Sequence, residues 1–510
     1  QVGSIVQSIL VAFRSQLDQL SWMTASTKRG AYSKIDNLVK NVAFPDKLYD
    51  VAQLDAEYEK LDIDMKTTYY ELLVRINKFN IAKQFKQLTM KEADRHDFLG
   101  QTSIVNAWYQ PELNSITFPA GILQAPFFDD RNPAALNYGA MGIVAGHELT
   151  HGFDDEGVQW NSVGLLDSWM TPESAANFSA VAQCVIDQYS NFCPLPESEP
   201  VRCINGVQTQ GENIADNGGI HAAWRAFLSH RELNGPDPLF ADHVFSQFSE
   251  EQLFFLNFAQ VWCMAPLTKD NIITGILTDP HVFGFYRVLG SLQNFPAFRA
   301  AFNCPIGSKY APTDHCKVWV PFVMAKASTD DKGIPVVSGN DINVKAPEEI
   351  GTKNLVKYNA YKSAFQLFND SIDFTTDPCD DFYQYACGHY PGRQNTFYDL
   401  NDKNRQRIAR KLNDPAYAAT VQSSKALTKL KTFFGRCMDE QTNPTTKNNH
   451  LVVSFVSKLK EILGVLPTFL SDNPIPATID AKNLANALVY LSFEHGIDTL
   501  VTPLVDTNWK

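Results

Sequence analysis

A mainly α-helical fold with a small β component is the class this 510-residue sequence predicts. Three observations carry it. Ile5, Ile9, Phe13, Leu17 and Leu20 recur at helical spacing and open a helix-rich stretch that reaches about Asp97. Ser103 to Tyr109 and Ser115 to Phe118 are short β-prone runs separated by the turn-like Pro111-Glu-Leu-Asn, which predicts one hairpin. Helical signals return from about Asn137 and reappear late, around Leu484, Leu488 and Leu491.

The organisation follows from these elements. Residues 1–98 read as a helical segment, 99–320 as the body that carries the chemistry, and 357–510 as a second helical portion. Between them, 321–356 is polar and rich in breakers (STDDKG, SGND, KAPEEIGTKN), the composition of a linker. The balance of 44 basic against 56 acidic residues gives a formal charge of -12, so the surface repels phosphate backbones and nucleic acid is set aside as a partner. No apolar stretch approaches the ~20 residues of a membrane-spanning helix. The opening QVGSIVQSIL lacks the marks of a signal peptide, so any targeting segment is expected to have been removed or to lie outside this chain. The nine cysteines form no CxxC pair, which disfavours a zinc–thiolate site, and their odd number leaves one thiol free, bonded to another chain or missing its partner. Asn177-Phe-Ser and Asn369-Asp-Ser are acceptor triplets for N-glycosylation.

The chemistry concentrates in GHELTHGFDD, residues 146–155. On a helix, His147 and His151 share one face and can aim two imidazole nitrogens at one ion, with Glu148 beside it. A catalytic zinc takes three protein ligands and keeps an open position, so a third ligand is required from elsewhere. QGENIADNGG supplies Glu212, and Asp216 four residues on could accept a hydrogen bond from a ligating imidazole. The plainer reading of that pair is an acidic first turn that suits the helix dipole. Glu148 is placed to act as general base. His281 offers a donor for the oxyanion or serves the fold, and Arg287 offers a bidentate clamp for a carboxylate or is a surface arginine.

VNAWYQPELNSITFPAGILQAPFF, GHELTHGFDDEG, GENIADNGG, FFLNFAQVWC and CKVW, five blocks in one order between Gln1 and Trp319, resemble the neprilysin family of zinc endopeptidases, which includes the endothelin-converting enzymes. The resemblance implies a thermolysin-like zincin catalytic lobe with a helical cap lobe, one Zn2+ on His147, His151 and Glu212, Glu148 as general base, and Asp216 orienting a zinc histidine. It further implies that Asn106 and Ala107 bind substrate backbone along a strand edge, that His281 stabilises the oxyanion and that Arg287 supports the substrate region. Ile122, Phe127, Val144, Val261 and Trp262 match the hydrophobic pocket for the residue after the scissile bond. DPCDDFYQYACGHY and GRCMDE, in 357–510, resemble the start of the family's ectodomain, which ordinarily precedes the zinc motif; here it follows. In that block Arg393 matches an arginine that grips a free carboxylate, and Phe397 a pocket phenylalanine. By the family's pattern Cys184 pairs with Cys316, Cys263 with Cys387 and Cys304 with Cys379. Cys193 and Cys203 are left for a local bridge, and Cys437 lacks its partner. The block order fits a tandem array, a circular permutation, or two pieces of one enzyme joined out of order.

The function expected is hydrolysis of oligopeptides on the amino side of hydrophobic residues, in an extracellular, secreted or ectodomain setting, since disulfides belong to oxidising compartments. The alternatives are a catalytically silent binding module of the same fold and a peptidyl-carboxypeptidase that reads a free C-terminus. Peptide substrates are the expected partners, together with other neprilysin-like modules or a second copy of the chain.

Overall fold

The spacing of apolar residues at the N-terminus produces α1 (Val2–Asp18), which buries Ile5, Ile9, Phe13 and Leu17 along one stripe. In this computed structural model, residues 1–237, 247–320, 364–442, 455, 457–462 and 481–491 are described. The chain groups into two compact units: Gln1–Phe44 with Arg95–Asn404, and Pro45–Asp94 with Arg405–Lys510. These units cut across the boundaries drawn on the sequence, because the stretch 1–98 is shared between them. The expected linker at 321–356 lies outside the described residues.

In the first unit, Thr24 caps α2 (Ala25–Asp36) by accepting from the Thr27 backbone N–H. A three-stranded sheet follows, β1 (Val39–Ala43), β2 (Trp108–Gln110) and β3 (Ser115–Pro119), in the order β1-β3-β2. The expected hairpin is present: β2 runs antiparallel to β3 with Trp108 opposite Thr117, and Asn114 closes the turn at φ 42. Its first strand is shorter than the sequence suggested, since 103–107 is irregular. The sequence reading also missed β1, which pairs parallel to β3 with Val39 opposite Ser115. VKNVA sits inside a helical region and has no clean alternation, and its partner is far along the chain. β2 is left at an edge of the sheet.

The helices of this unit include α3 (Ile143–His151), α4 (Pro172–Ser190), α5 (Gln210–Asn234), α6 (Glu250–Val261), α7 (Lys269–Thr278), α8 (Gly284–Gln293), α9 (Pro296–Phe302) and α10 (Phe382–Cys387). The packing of α3 on α5 positions everything that follows. A Cβ on Gly146 would lie 2.6 Å from Gly219 O, and one on Gly219 would lie 2.6 Å from His147 N. Only a glycine pair lets the two backbones meet there. α1 packs across both helices. Trp319, buried against Phe13, Trp22, Phe153 and Phe178, accepts at its carbonyl from Gln16 Nε2 at 2.7 Å.

Four disulfides form among the described residues: Cys184–Cys316, Cys263–Cys387 and Cys304–Cys379, the pairings the resemblance implies, and the local bridge Cys193–Cys203. Two of them fasten α10 and its approach to the body, closing loops of 124 and 75 residues. In the loop-entropy account, each is worth about 4–5 kcal/mol. Gln260 Nε2 donates to Ala386 O at 2.6 Å and adds to that attachment. Asn177 Nδ2, the atom a glycan would take, donates to Trp22 O at 3.1 Å, whereas Asn369 is exposed.

The second unit is helical in its described residues, with Val51–Glu57, Tyr69–Lys86, Ala418–Gln422, Lys425–Thr442 and Ala481–Val489. Asp55 caps the helix Lys425–Thr442 from another segment, accepting from Ser424 Oγ at 2.6 Å and from the backbone N–H groups of Lys425 and Ala426 at 2.9 Å. A carboxylate there satisfies orphan donors and suits the helix dipole. Cys437 lies on this helix outside any disulfide.

Candidate active site

α3 presents His147, Glu148 and His151 toward the first two turns of α5, which carry Glu212 and Asp216. His147 Nε2 lies 3.0 Å from His151 Nε2, and Glu212 Oε2 lies 3.2 Å from the first and 3.5 Å from the second. The other nitrogens are spoken for. His147 Nδ1 is 2.9 Å from Asp216 Oδ1, and His151 Nδ1 is 2.6 Å from Asp154 Oδ2. Arg287 Nη2 also lies 3.3 Å from His147 Nδ1, but the nearer carboxylate fixes the tautomer, with Nδ1 as donor. Both Nε2 atoms then carry lone pairs.

Three lone-pair atoms facing one another at 3.0–3.5 Å repel unless a cation sits among them. Glu212 Oε2 is buried and finds no hydrogen bond of acceptable geometry, so it faces a shared centre rather than either imidazole. A tetrahedron with metal–ligand bonds of about 2.0–2.1 Å has edges of about 3.3 Å. The observed triangle matches one face of that tetrahedron, so the residues fit a zinc ion. Glu148 lies with the two histidines in a group whose ligand atoms fall within 4.8 Å of one another.

The surrounding charges are ordered. Arg287 donates from Nε and Nη2 to Asp216 at 2.7 and 2.6 Å, and its Cζ stands 3.7 Å over the Trp262 ring. At 6% exposure it is neither a surface arginine nor a free clamp, because its guanidinium is committed to Asp216. Burial alone would raise the Asp216 carboxyl; Arg287 and the His147 donor hold it below its ordinary value. Burial pushes the Glu148 carboxyl up from its ordinary value. His281, 44% exposed at its side chain, places Nε2 3.2 Å from the other oxygen of Glu212, while Asp279 Oδ1 lies 2.8 Å from its Nδ1.

The remaining expected residues divide. Asn106 and Ala107 lead directly into edge strand β2, and β2 packs beside α3, where Gly152 abuts the Tyr109 ring. Ile122, Phe127, Val144 and Val261 are buried. Phe397 packs on Phe127 at 4.8 Å and stacks on Trp262 at 5.3 Å, which joins the late block to the wall beside Arg287. Ala265 N donates to Gln394 O at 2.6 Å and holds that block in place. Arg393 is exposed, and among the described residues its guanidinium touches none of the histidines or carboxylates of the site. Sequence reading gave no role to Asp154. The signal was its place three residues beyond the second histidine, in the turn that leaves the helix, close enough in sequence for its carboxylate to fold back onto the ligand.

The geometry now has company. The sequence model of peptidase family M13 matches residues 106–318, and the N-terminal model of the same family matches 378–510, so the two together take in more than half of the chain. The chain is 42% identical over 316 residues to an endothelin-converting enzyme homolog of Locusta migratoria, a match that covers 62% of this chain and 42% of that protein. It is 40% identical over 319 residues to neprilysin of Oryctolagus cuniculus, again covering 62% of this chain and 42% of the relative. The chain thus spans less than half the length of these relatives. Among solved structures, the inhibitor complex of the zinc metalloprotease Zmp1 of Mycobacterium tuberculosis matches at 30% identity with a TM-score of 0.55, covering 62% of this chain and 47% of that one. A Haemonchus galactose containing glycoprotein complex matches at 34% identity with a TM-score of 0.55, covering 62% and 50%. The catalytic match precedes the N-terminal match, the inverted order already visible in the motifs. With both matches falling on the blocks that carry the site and its disulfide-tied flank, the chain belongs to peptidase family M13.

Proposed function

We propose that this chain is a zinc endopeptidase that cleaves oligopeptides on the amino side of hydrophobic residues. The observation that carries the reading is the triangle of His147 Nε2, His151 Nε2 and Glu212 Oε2, three lone pairs converging on one centre with edges of 3.0–3.5 Å. Those residues hold one zinc ion, which when bound supplies a Lewis acid and an ionisable water near neutral pH. Asp216 and Asp154 keep both imidazoles in the tautomer that leaves Nε2 free. Arg287 compensates the charge of Asp216.

Glu148, raised by burial, takes the proton from the attacking water and returns it to the leaving amine. His281 stands at the rim of the same group and donates to the oxyanion as it forms on the scissile carbonyl. The open edge of β2, entered through Asn106 and Ala107, binds peptide backbone as an added strand. Phe127, Trp262 and Phe397, together with Ile122, Val144 and Val261, supply the apolar pocket for the side chain after the scissile bond. The four disulfides support an extracellular or ectodomain setting.

The test is zinc content together with cleavage of a quenched peptide series. One bound zinc, chelator-sensitive cleavage before Phe or Leu, and equal rates on amidated and free C-termini are expected. Zinc without cleavage would instead favour a silent binding module, and failure on the amides a peptidyl-carboxypeptidase.

A further inference from the structure

A lysine lies almost wholly out of water behind the zinc ligands. Lys34, on α2, is 1% exposed. Its Nζ sits 5.5 Å from the Phe153 ring, 5.8 Å from Tyr109 and 5.9 Å from Trp169. Such burial is costly unless the amine is hydrogen-bonded. Nζ donates to Gly157 O at 2.6 Å and to Trp160 O at 2.7 Å, two carbonyls of the loop that leaves α3.

The same loop carries Asp154. Its Oδ1 accepts from the backbone N–H of Gly157 at 2.7 Å and of Glu156 at 3.0 Å, and its Oδ2 meets His151 Nδ1 at 2.6 Å. Gly157 is thus held at both ends of its peptide units, with its carbonyl on Lys34 and its N–H on Asp154. A Cβ at that position would come within 1.9 Å of His151 O, so the loop folds back tightly onto the end of α3. Lys34 is tied from its own backbone too. Asn114 Nδ2 donates to Lys34 O and to Ser162 O, each at 2.9 Å, and Asn114 Oδ1 accepts from Tyr109 of β2.

We infer that Lys34 is a positioning residue for the metal ligand His151. By pinning the Gly157 and Trp160 carbonyls it fixes the loop that aims Asp154 at His151 Nδ1, so His151 meets the ion already oriented. This rests on the zinc reading above, and Lys34 itself is enclosed by rings and carbonyls away from the metal-binding atoms. A carboxylate partner of a ligating histidine is worth about 10–100-fold in metal affinity. Lys34 acts one contact further out, and the low end of that range is expected.

The experiment measures zinc affinity of the full chain by chelator competition, with thermal stability of the zinc-free protein alongside. Lys34→Met keeps the apolar stem and removes the donors, and should weaken zinc binding about 10-fold. Asp154→Ala should weaken it about 10–100-fold. In the Asp154→Ala background, Lys34→Met should add less than about twofold, because its route to His151 is already cut. Ile35→Ala, a buried change on the same helix without bonds to the loop, should lower stability and leave affinity unchanged. If Lys34→Met does not fold, Lys34→Gln, which retains a donor, should show an intermediate loss. Wild-type affinity in a folded Lys34 variant, or an equal effect of Lys34→Met with and without Asp154, would overturn the inference. A parent protein that binds no zinc, or binds it undiminished after His147→Ala, would instead overturn the zinc reading itself.

Discussion

Asp216→Ala removes one carboxylate that serves a buried guanidinium and a ligating imidazole at once. Asp216 is 1% exposed; it receives Arg287 Nε at 2.7 Å and Nη2 at 2.6 Å, and faces His147 Nδ1 at 2.9 Å. The substitution strands a buried guanidinium, and breaking one partner of a buried pair costs about 3–5 kcal/mol. It also frees the His147 ring to turn or to change tautomer, which costs about 10–100-fold in metal affinity, or about 1.4–2.8 kcal/mol. Against a domain stability of about 5–15 kcal/mol, the variant remains folded in the cold but is easily unfolded. Asp216→Asn keeps the volume and one oxygen acceptor, so it should fall between the two. Urea unfolding of the zinc-free proteins reads the first cost, and chelator competition on folded protein reads the second. Both losses should appear together in Asp216→Ala. A folded Asp216→Ala variant with parental zinc affinity would refute the idea that this carboxylate orients His147, whatever happened to its stability.

Glu148→Gln should keep the zinc and lose about 10^2-fold or more in turnover, since an amide cannot take the proton; retained turnover would remove Glu148 from the base role. Phe397→Ala deletes the ring between Phe127 and Trp262 and should reduce the preference for Phe over Ala after the scissile bond by about 10-fold or more, read as a ratio of kcat/KM values. An unchanged ratio would place that side chain elsewhere. Lys34 gives a pH dependence. Burial brings its ammonium down from 10.5 to about 7, opposed by Asp154, so between those values the unfolded chain holds the extra proton and stability rises with pH; below about 7 both states are charged and the full cost remains. The parent should gain up to about 1.4 kcal/mol per pH unit near pH 8–9 relative to Lys34→Met, and parallel urea profiles of the two would contradict this.

What the sequence could show and what it could not divide along one physical line. Spacing within a helix is local, so His147 with His151, and Glu212 with Asp216, could be placed on shared faces from residue numbers alone. Nothing local says that the two helices meet. That depends on Gly146 and Gly219 touching backbone to backbone, a fact of packing between segments some seventy residues apart in the chain. The same limit explains the errors. Arg287 reads as a clamp for a substrate carboxylate or as a surface arginine because its partner Asp216 lies on another helix. Lys34 draws no reading at all, since AYSKID gives no hint that rings from Tyr109, Phe153 and Trp169 enclose its amine. β1 is hidden for a related reason: a short strand stabilised by a distant parallel partner need not carry an alternating pattern of its own. The three long-range cysteine pairs were legible only through the resemblance, because bridges among nine thiols admit many arrangements, whereas Cys193 and Cys203 are close enough in sequence to suggest their local bridge. The residues that escape sequence reading are therefore those whose partners come from other segments, and Asp154 and Lys34 among them set the orientation of His151.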